Sequence, residues 1–506
     1  MYKEKHKSVY LMDRYVDGNE FLTKEPEYGK LQSFEELRDR LPKPVWEGHE
    51  EAVEAYYKAW SLAFANIHNP TEENGFVSPY IDAAFNGDIF MWDSCFMLMF
   101  GIYANDIFCF QKTLDNFYAN QLPDGFIPRQ IHEDNGEGKF MRFDPISTGP
   151  NILGWCEWEF YLRTGDKERL RKVFYPLRAY HRWLRRNRTW QNMTYWNSGW
   201  GSGMDNQPRL PVDGDMDALQ AHRCYHGHMS WIDTNLQQIL SCRVLLDIIR
   251  ELNLEEDTTE LTEEYEYLKH FVNEKMWSSK EAFYFDRYAD GSLARAKTVG
   301  AYWALLAGIV PKERLEGFLG HLRNEKEFKR LHMVPSLSAD SEGYDRDGGY
   351  WCGGVWAPTN YMVIRGLRQY GEYELAAEIA KNHYQNVLQV YRETGTFWEN
   401  YAPEYAARGS RSKGDFVGWT GLVPITELIE DILGIQLDVP NNTIHWYLSN
   451  LERHGMENMM FGARRISLCC AARQSESESP VITAEGCEGI RIIVHYDNRD
   501  MIWKKA

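Results

Sequence analysis

Between about residues 46 and 436, apolar residues recur three or four positions apart, the spacing that lines one face of an α-helix. In segment 230–252, Ile232, Leu236, Ile239, Cys242, Leu246 and Ile249 follow at steps of 4, 3, 3, 4 and 3, which makes a single stripe. Comparable stripes run over 50–68, 88–104, 108–120, 147–163, 167–186, 258–277, 296–308, 311–322, 355–370, 373–392 and 417–433, so about twelve helices are predicted. Six of these helices carry a tryptophan near their start: Trp92, Trp155, Trp231, Trp303, Trp356 and Trp419. The intervals of 63, 76, 72, 53 and 63 residues each hold one helix out, one helix back and their loops. Six stacked hairpins closed into a ring would make an all-α (α/α)6 barrel over 46–438, with the more apolar helices inside. An open superhelix of helix pairs is the alternative. Long connections rich in Gly and aromatic residues precede the third and sixth inner helices and favour closure, because they would fill the mouth of a ring.

Past Val439-Pro440 the period shortens to two. "TIHWYL" (443–448), "RISLCC" (465–470), "PVITA" (480–484) and "IRIIVHY" (490–496) read as strands of a small C-terminal β-sheet or sandwich domain over 439–506. The "QSESES" tract between two of them is a solvated turn. Residues 1–45 are charged and weakly periodic, and are read as an N-terminal arm lying on the barrel with one short helix at 33–41.

Composition narrows the function classes. With 506 residues, 43% hydrophobic and 14% aromatic, the chain buries a large core. A net charge of −18 and a pI near 5.4 argue against nucleic acid or an anionic membrane as partner, since both require a basic face. No apolar run reaches 18 residues, and "MYKEKHKSVYLMDRYVDGNE" lacks the apolar core of a signal peptide, so the expected location is the cytoplasm. Nine scattered cysteines without CxxC spacing fit free core thiols in a reducing compartment, not zinc ligands.

Two loops carry candidate chemistry. In "YWNSGWGSGMDNQPRLP" (195–211), Asp205 is flanked by Trp196, Trp200, Asn206 and Arg209, while Gly199, Gly201 and Gly203 allow close backbone approach to a ligand. In "TGTFWENYAPE" (394–404), Glu399 lies between Phe397-Trp398 and Asn400-Tyr401, and Glu404 beyond Pro403 competes for the same role. Each carboxylate also has an ordinary reading, as a turn cap or an exposed loop acid. Acids set among aromatic residues suit a sugar, whose C–H faces pack on aromatic planes. In a ring of six, the loops entering the third and sixth inner helices lie opposite each other, which is how glycoside hydrolysis deploys its two carboxyl groups.

"SGMDNQPR" resembles the general-acid motif of glycoside hydrolase family 63 and its trehalase relatives, and "FWENY" resembles their general-base motif. "MWDSCF" (91–96), "DGFIPRQ" (124–130), "GGYWCGGVWAPTNY" (348–361) and "DFVGWTGL" (415–422) follow in the expected order, and the compact chain is most similar to the bacterial mannosylglycerate-hydrolase-like branch. The resemblance implies an (α/α)6 barrel and inversion, with Asp205 as acid, Glu399 as base and a carboxyl separation of about 6.5–9.5 Å. Desolvation by Trp196 and Trp200 would hold the proton on Asp205. The resemblance also implies that Asp93, itself a possible helix cap, bonds sugar hydroxyls. Arg129 and Gln130 would line the pocket, with a structural Arg129 holding the loop as the alternative, and Trp351, Trp356 and Trp419 would stack on the ligand or belong to the core. Trp92, Trp200, Gly203, Asn206 and Arg209 complete the expected substrate-binding set. One departure is Cys352, which stands in "YWCGG" where many members have Arg, so a substrate held through that Arg is not expected.

The stretch 212–228 holds Asp213, Asp215, Asp217, His222, His226 and His228 but lacks the Glu that closes a calcium loop; it is read as a cap over the mouth, with no metal and no cofactor expected. The expected activity is an exo-acting α-glycosidase that removes a glucose- or mannose-type unit from a small carbohydrate. A barrel without turnover, or a sugar epimerase or phosphorylase, are the alternatives. Oligomeric state is open.

Overall fold

The computed structural model describes residues 12–83, 87–210 and 224–503. Its principal helices are α1 (Glu50–Ala65), α2 (Met91–Gly101), α3 (Thr113–Ala119), α4 (Leu153–Thr164), α5 (Lys167–Asn187), α6 (Ile232–Leu252), α7 (Thr259–Lys275), α8 (Trp303–Ala307), α9 (Lys312–Arg323), α10 (Ala357–Gln369), α11 (Tyr373–Thr394) and α12 (Val423–Ile432). Tight turns at Val299–Tyr302 and Trp419–Leu422 lead into α8 and α12, and α12 winds with wider, π-type turns. Among the described residues, no helix is long and apolar enough to cross a membrane.

Burial divides the helices into two sets. Every residue of α2 is buried, whereas α5 buries Leu170, Val173, Phe174, Leu177, Tyr180 and Trp183 on one stripe and turns most of its arginines and lysines away. Helix α2 packs on α4, α4 on α6, α6 on α8, α8 on α10, and α10 on the 419–422 turn, which packs back on α2. Helices α5 and α7 flank α6 from outside, and α11 lies against α10 and α12. The six tryptophans stand at the N-terminal ends of the inner series. Trp303 meets Trp92 at 6.2 Å and Trp155 edge-on at 5.6 Å, and Trp356 meets Trp419 at 5.5 Å.

At the opposite ends of these helices lies a buried ionic cluster. Arg163, at the end of α4, donates to Glu430 of α12 at 2.6 and 3.1 Å, and also pairs with Glu159. Tyr103 donates to Glu430 at 2.7 Å, and Arg365 of α10 reaches Glu159 at 2.9 Å. Burial opposes ionisation of Glu159, but Arg365 and Arg163 overcome it and hold this carboxyl down at about 2.

The β region contains two four-stranded sheets. Its strands are β1 (Lys43–Trp46), β2 (Ile435–Asp438), β3 (Thr443–Tyr447), β4 (His454–Phe461), β5 (Arg464–Cys470), β6 (Ile482–Glu485), β7 (Arg491–Tyr496) and β8 (Arg499–Trp503). One sheet has the order β1-β4-β5-β6 and the other β2-β3-β7-β8, with β3 and β7 parallel. Trp446 of β3 meets His454 of β4 across them at 6.0 Å. Four strands differ from the sequence expectation. Strand β1 belongs to the N-terminal arm, and its Pro44 sits on an edge strand, where a missing N–H is tolerated. Strand β2 begins at Ile435, before the expected boundary at 439. Strand β4 is hidden by Gly455 and by a register shift between Met456 and Met459, with Asn458 at φ 61°. Strand β8 is short, and its sequence Arg-Asp-Met-Ile-Trp shows no apolar alternation.

Replacing Glu430 by Ala leaves the Arg163 guanidinium buried and short of a partner. The expected loss is about 3–5 kcal/mol of unfolding free energy, measured by urea denaturation.

Candidate active site

The loop carrying Asp205 is shaped by a tight backbone approach. Ser198 caps the Gly199–Ser202 turn by accepting the Gly201 N–H at 3.2 Å. Gly203 follows at φ 76°, and a Cβ there would stand 3.1 Å from the Trp92 ring, so glycine is required twice over. Beyond Asp205 the chain is pinned residue by residue. Asn206 donates to the Gly349 carbonyl at 2.9 Å and accepts from the Trp351 N–H at 2.9 Å. Gln207 donates to Ser336 O at 2.7 Å. Arg209 lies buried between Asp233, at the start of α6, and Asp286, bonding both at 2.6 Å.

Glu399 is held from the opposite side. Its N–H donates to Lys413 O, its carbonyl accepts from the Trp419 indole at 2.9 Å, and its Oε1 accepts from the Tyr350 hydroxyl at 3.0 Å. Tyr350 reaches it from a backbone at φ 68°, a conformation rare for a bulky residue.

Between these loops lies a cavity of about 380 Å³, lined by Asp205, Asp93, Arg129, Gln130, Gly203 and the tryptophans Trp92, Trp200, Trp351 and Trp419. The Trp92 indole N–H is buried without a hydrogen-bond partner among the described residues. Trp356 is one layer back, stacked flat on Trp351 at 3.8 Å. Arg129 is anchored by Ile146 O at 2.6 Å and lies over Phe140 and Trp200.

The charges interact across the cavity. Asp93 is pushed well above the ordinary carboxylate range by burial, then by Glu399, with Asp205 adding to it. Glu399 is raised to about 7, mainly by burial, with the Tyr350 hydrogen bond opposing and Asp205 adding. Burial lowers Arg129, and Asp205 and Asp93 resist that shift. Burial and mutual repulsion thus favour the protonated forms of Asp93 and Glu399.

A sequence model of the mannosylglycerate hydrolase MGH1-like glycoside hydrolase domain matches residues 88–420, about two thirds of the chain. The chain belongs to this family, within glycoside hydrolase family 63. An uncharacterized protein of Borreliella burgdorferi is 26% identical over 392 residues, covering 74% of this chain and 78% of that one. The mannosylglycerate hydrolase of Thermus thermophilus is 26% identical over 397 residues, covering 66% of this chain and 92% of the enzyme. A crystal structure of a family 63 mannosylglycerate hydrolase from Thermus thermophilus in complex with glucose superposes with a TM-score of 0.58 at 21% identity, covering 74% of this chain and 99% of that one.

Several expected positions of this glycoside hydrolase take other places. Arg209 does not reach the cavity, because its guanidinium is consumed by Asp233 and Asp286 and covers Trp231 at 4.2 Å; it anchors the loop. Asn206 likewise ties two loops together. Trp196, expected to desolvate Asp205, packs instead on Trp190 and His226 at 5.9 and 5.4 Å, and only Trp200 lines the cavity. The carboxyl raised to about 7 is Glu399, the group assigned as base. Glu404 faces away, paired with Arg330 at 2.7 and 2.8 Å and with the Tyr344 hydroxyl at 2.8 Å. Cys352 donates to Asn206 O at 3.3 Å, and burial pushes its thiol up to about 11, so this position presents no cation. In the 212–228 stretch, Asp213, Asp215, Asp217 and His222 lie outside the described residues, and the rings of His226 and His228 pack 4.6 Å apart.

Sequence reasoning passed over Tyr350, Phe90, Lys139 and Phe140, which also line the cavity. Tyr350 was legible in principle, as the residue before Trp351 in "GGYWC". Phe140 ends the polar run "EDNGEGK", where no periodicity marks it.

A carboxyl whose folded pKa is raised contributes stability below its unfolded value near 4.5 and loses that contribution as pH rises through 7. Glu399→Gln stays neutral throughout. It is expected to be more stable than wild type at pH 8 by on the order of 1–3 kcal/mol and equal to it at pH 4.5, measured by urea denaturation at each pH.

Proposed function

We propose that this hydrolase is an inverting, exo-acting α-glycosidase that removes a terminal glucose- or mannose-type unit from a small glycoside or oligosaccharide. The observation that carries this reading is the electrostatic coupling of Asp205, which lines a tryptophan-walled cavity, to Glu399, buried behind Tyr350 of the same wall, the two acids coming from the loops that lead to the third and sixth inner helices. The cyclic packing of α2, α4, α6, α8, α10 and the 419–422 turn supports a closed (α/α)6 barrel with this cavity at its mouth. A volume of about 380 Å³ suits a small ligand, which favours terminal units over chain interiors.

In this mechanism Asp205 gives its proton to the glycosidic oxygen as the C1–O bond breaks. Glu399, held by the Tyr350 hydroxyl, takes a proton from the water that attacks C1 from the other face. The single displacement inverts the anomeric carbon and leaves Asp205 ionised and Glu399 protonated, and proton exchange with solvent resets both carboxyls for the next turnover. Asp93, Arg129 and Gln130 would bond the hydroxyls, and Trp92, Trp200 and Trp419 would cover the apolar ring faces. Mannosylglycerate named for the Thermus relative and glucose in the related complex make both sugar types reasonable first substrates. A phosphorylase would require a cation cluster; here Lys139 is paired with Asp88 at 2.7 Å, and Arg129 faces carboxyls.

Wild type and Asp205→Asn are to be incubated with a panel of α-glucosides and α-mannosides while proton NMR follows the released sugar. Wild type should release the β-anomer first, with kcat/KM climbing as pH rises through about 7, and Asp205→Asn should lose roughly 10²–10⁴-fold in kcat. Early α-anomer would contradict the assigned roles.

A further inference from the structure

We propose that His68, Asp82 and Glu133 form a binding site for one divalent first-row transition-metal ion, of the Zn²⁺ or Mn²⁺ type, outside the catalytic cavity. One ligand atom from each residue lies within 4.8 Å of the others. His68 Nε2 and Glu133 Oε1 are both shielded from solvent, and neither makes a well-formed hydrogen bond. Nε2 stands 3.2 Å from Asp82 Oδ2, and the second Glu133 oxygen is taken by the Tyr80 hydroxyl at 3.3 Å. A nitrogen lone pair and two carboxylates therefore converge on one point that a cation would satisfy.

The backbone holds all three residues before any ion arrives. His68 ends the Ile67–His68 strand, which pairs with Tyr80–Ile81, and Asp82 follows with its N–H bonded to Asn66 O at 3.1 Å. Glu133 follows the Gln130–His132 strand; its N–H donates to Gly87 O at 3.0 Å, and its carbonyl accepts from Asn74 Nδ2 at 3.0 Å. His68 and Glu133 open on a cavity of about 560 Å³ beside the active site, so water can complete the coordination shell. The cations that share this cavity, Lys139 and His132, are both engaged by Asp88.

The donor set selects the metal. One imidazole with two carboxylates suits first-row ions, whereas Ca²⁺ and Mg²⁺ favour all-oxygen shells. A second group, His181, Cys242 and Glu264, is fully buried, and Arg185 donates to Glu264 at 3.1 Å, so a cation already occupies its field. Bound at His68, Asp82 and Glu133, the ion would clamp the 67–68/80–81 hairpin to the 88–90/130–132 ribbon. Arg129 and Gln130, on that ribbon's edge, line the catalytic cavity. Its role is to brace this wall, not to take part in the chemistry.

The test uses the full chain stripped with EDTA, dialysed, and titrated with ZnCl₂ and MnCl₂ by calorimetry and thermal melting. One equivalent of Zn²⁺ should bind, and at a hundredfold excess over Kd the melting temperature should rise by about 2 °C. CaCl₂ and MgCl₂ should leave it unchanged. Glu133→Gln and His68→Asn should each weaken Zn²⁺ binding at least about tenfold without lowering the metal-free melting temperature. If one variant does not fold, the other decides. Absence of saturable binding overturns the proposal, as does wild-type affinity in a folded variant, which would place the ion elsewhere.

Discussion

A buried carboxylate is costly unless something compensates it, and this molecule treats two of its sets of buried acids in opposite ways. Around Arg163, at one end of the inner helices, each carboxylate meets guanidinium groups, and Glu159 is held down at about 2. At the other end, Asp93 is pushed up by burial and by Glu399, and Glu399, buried and repelled by Asp205, is raised to about 7. The paired end joins α4, α10 and α12 and lets the frame tolerate the frustrated end. Undercompensation at the mouth leaves protons poised to move near neutral pH, a property that acid–base chemistry requires.

The loops between these ends are fixed by ion pairs and hydrogen bonds within the protein. Arg209 spans Asp233 and Asp286, Asn206 joins the Asp205 loop to the Trp351 loop, and the Trp419 indole holds the Glu399 carbonyl. Residues close to Asp205 in sequence thus divide between lining the cavity and positioning the residues that do. Trp351 and Trp356 show the same division, since two flat indoles stack and only the outer one faces the cavity.

Much of the helical region was legible because an amphipathic stripe is a local signal. The predicted 373–392 and 167–186 segments coincide closely with α11 and α5. Where structure depends on distant partners, the sequence was mute. Strand β1 exists only because β4 lies beside it, and β4 is broken in pattern by a bulge. At the site, the acids, the glycines and most tryptophans stood out by type and setting. The destination of Arg209 did not, because its partners Asp233 and Asp286 carry no sign of pairing with it in a linear reading. Trp196 misled for a related reason: four residues from Trp200, it turns into a different aromatic cluster.

The pairing of β1 with β4 joins the first part of the chain to nearly the last. During synthesis, Lys43–Trp46 emerges long before its neighbours at His454–Glu457. The helical region can assemble while that edge waits, and the sheet is completed last. A chain cut short before β4 would leave β1 with no strand to join, so the N-terminal segment acts as a latch that closes only once β4 has been made.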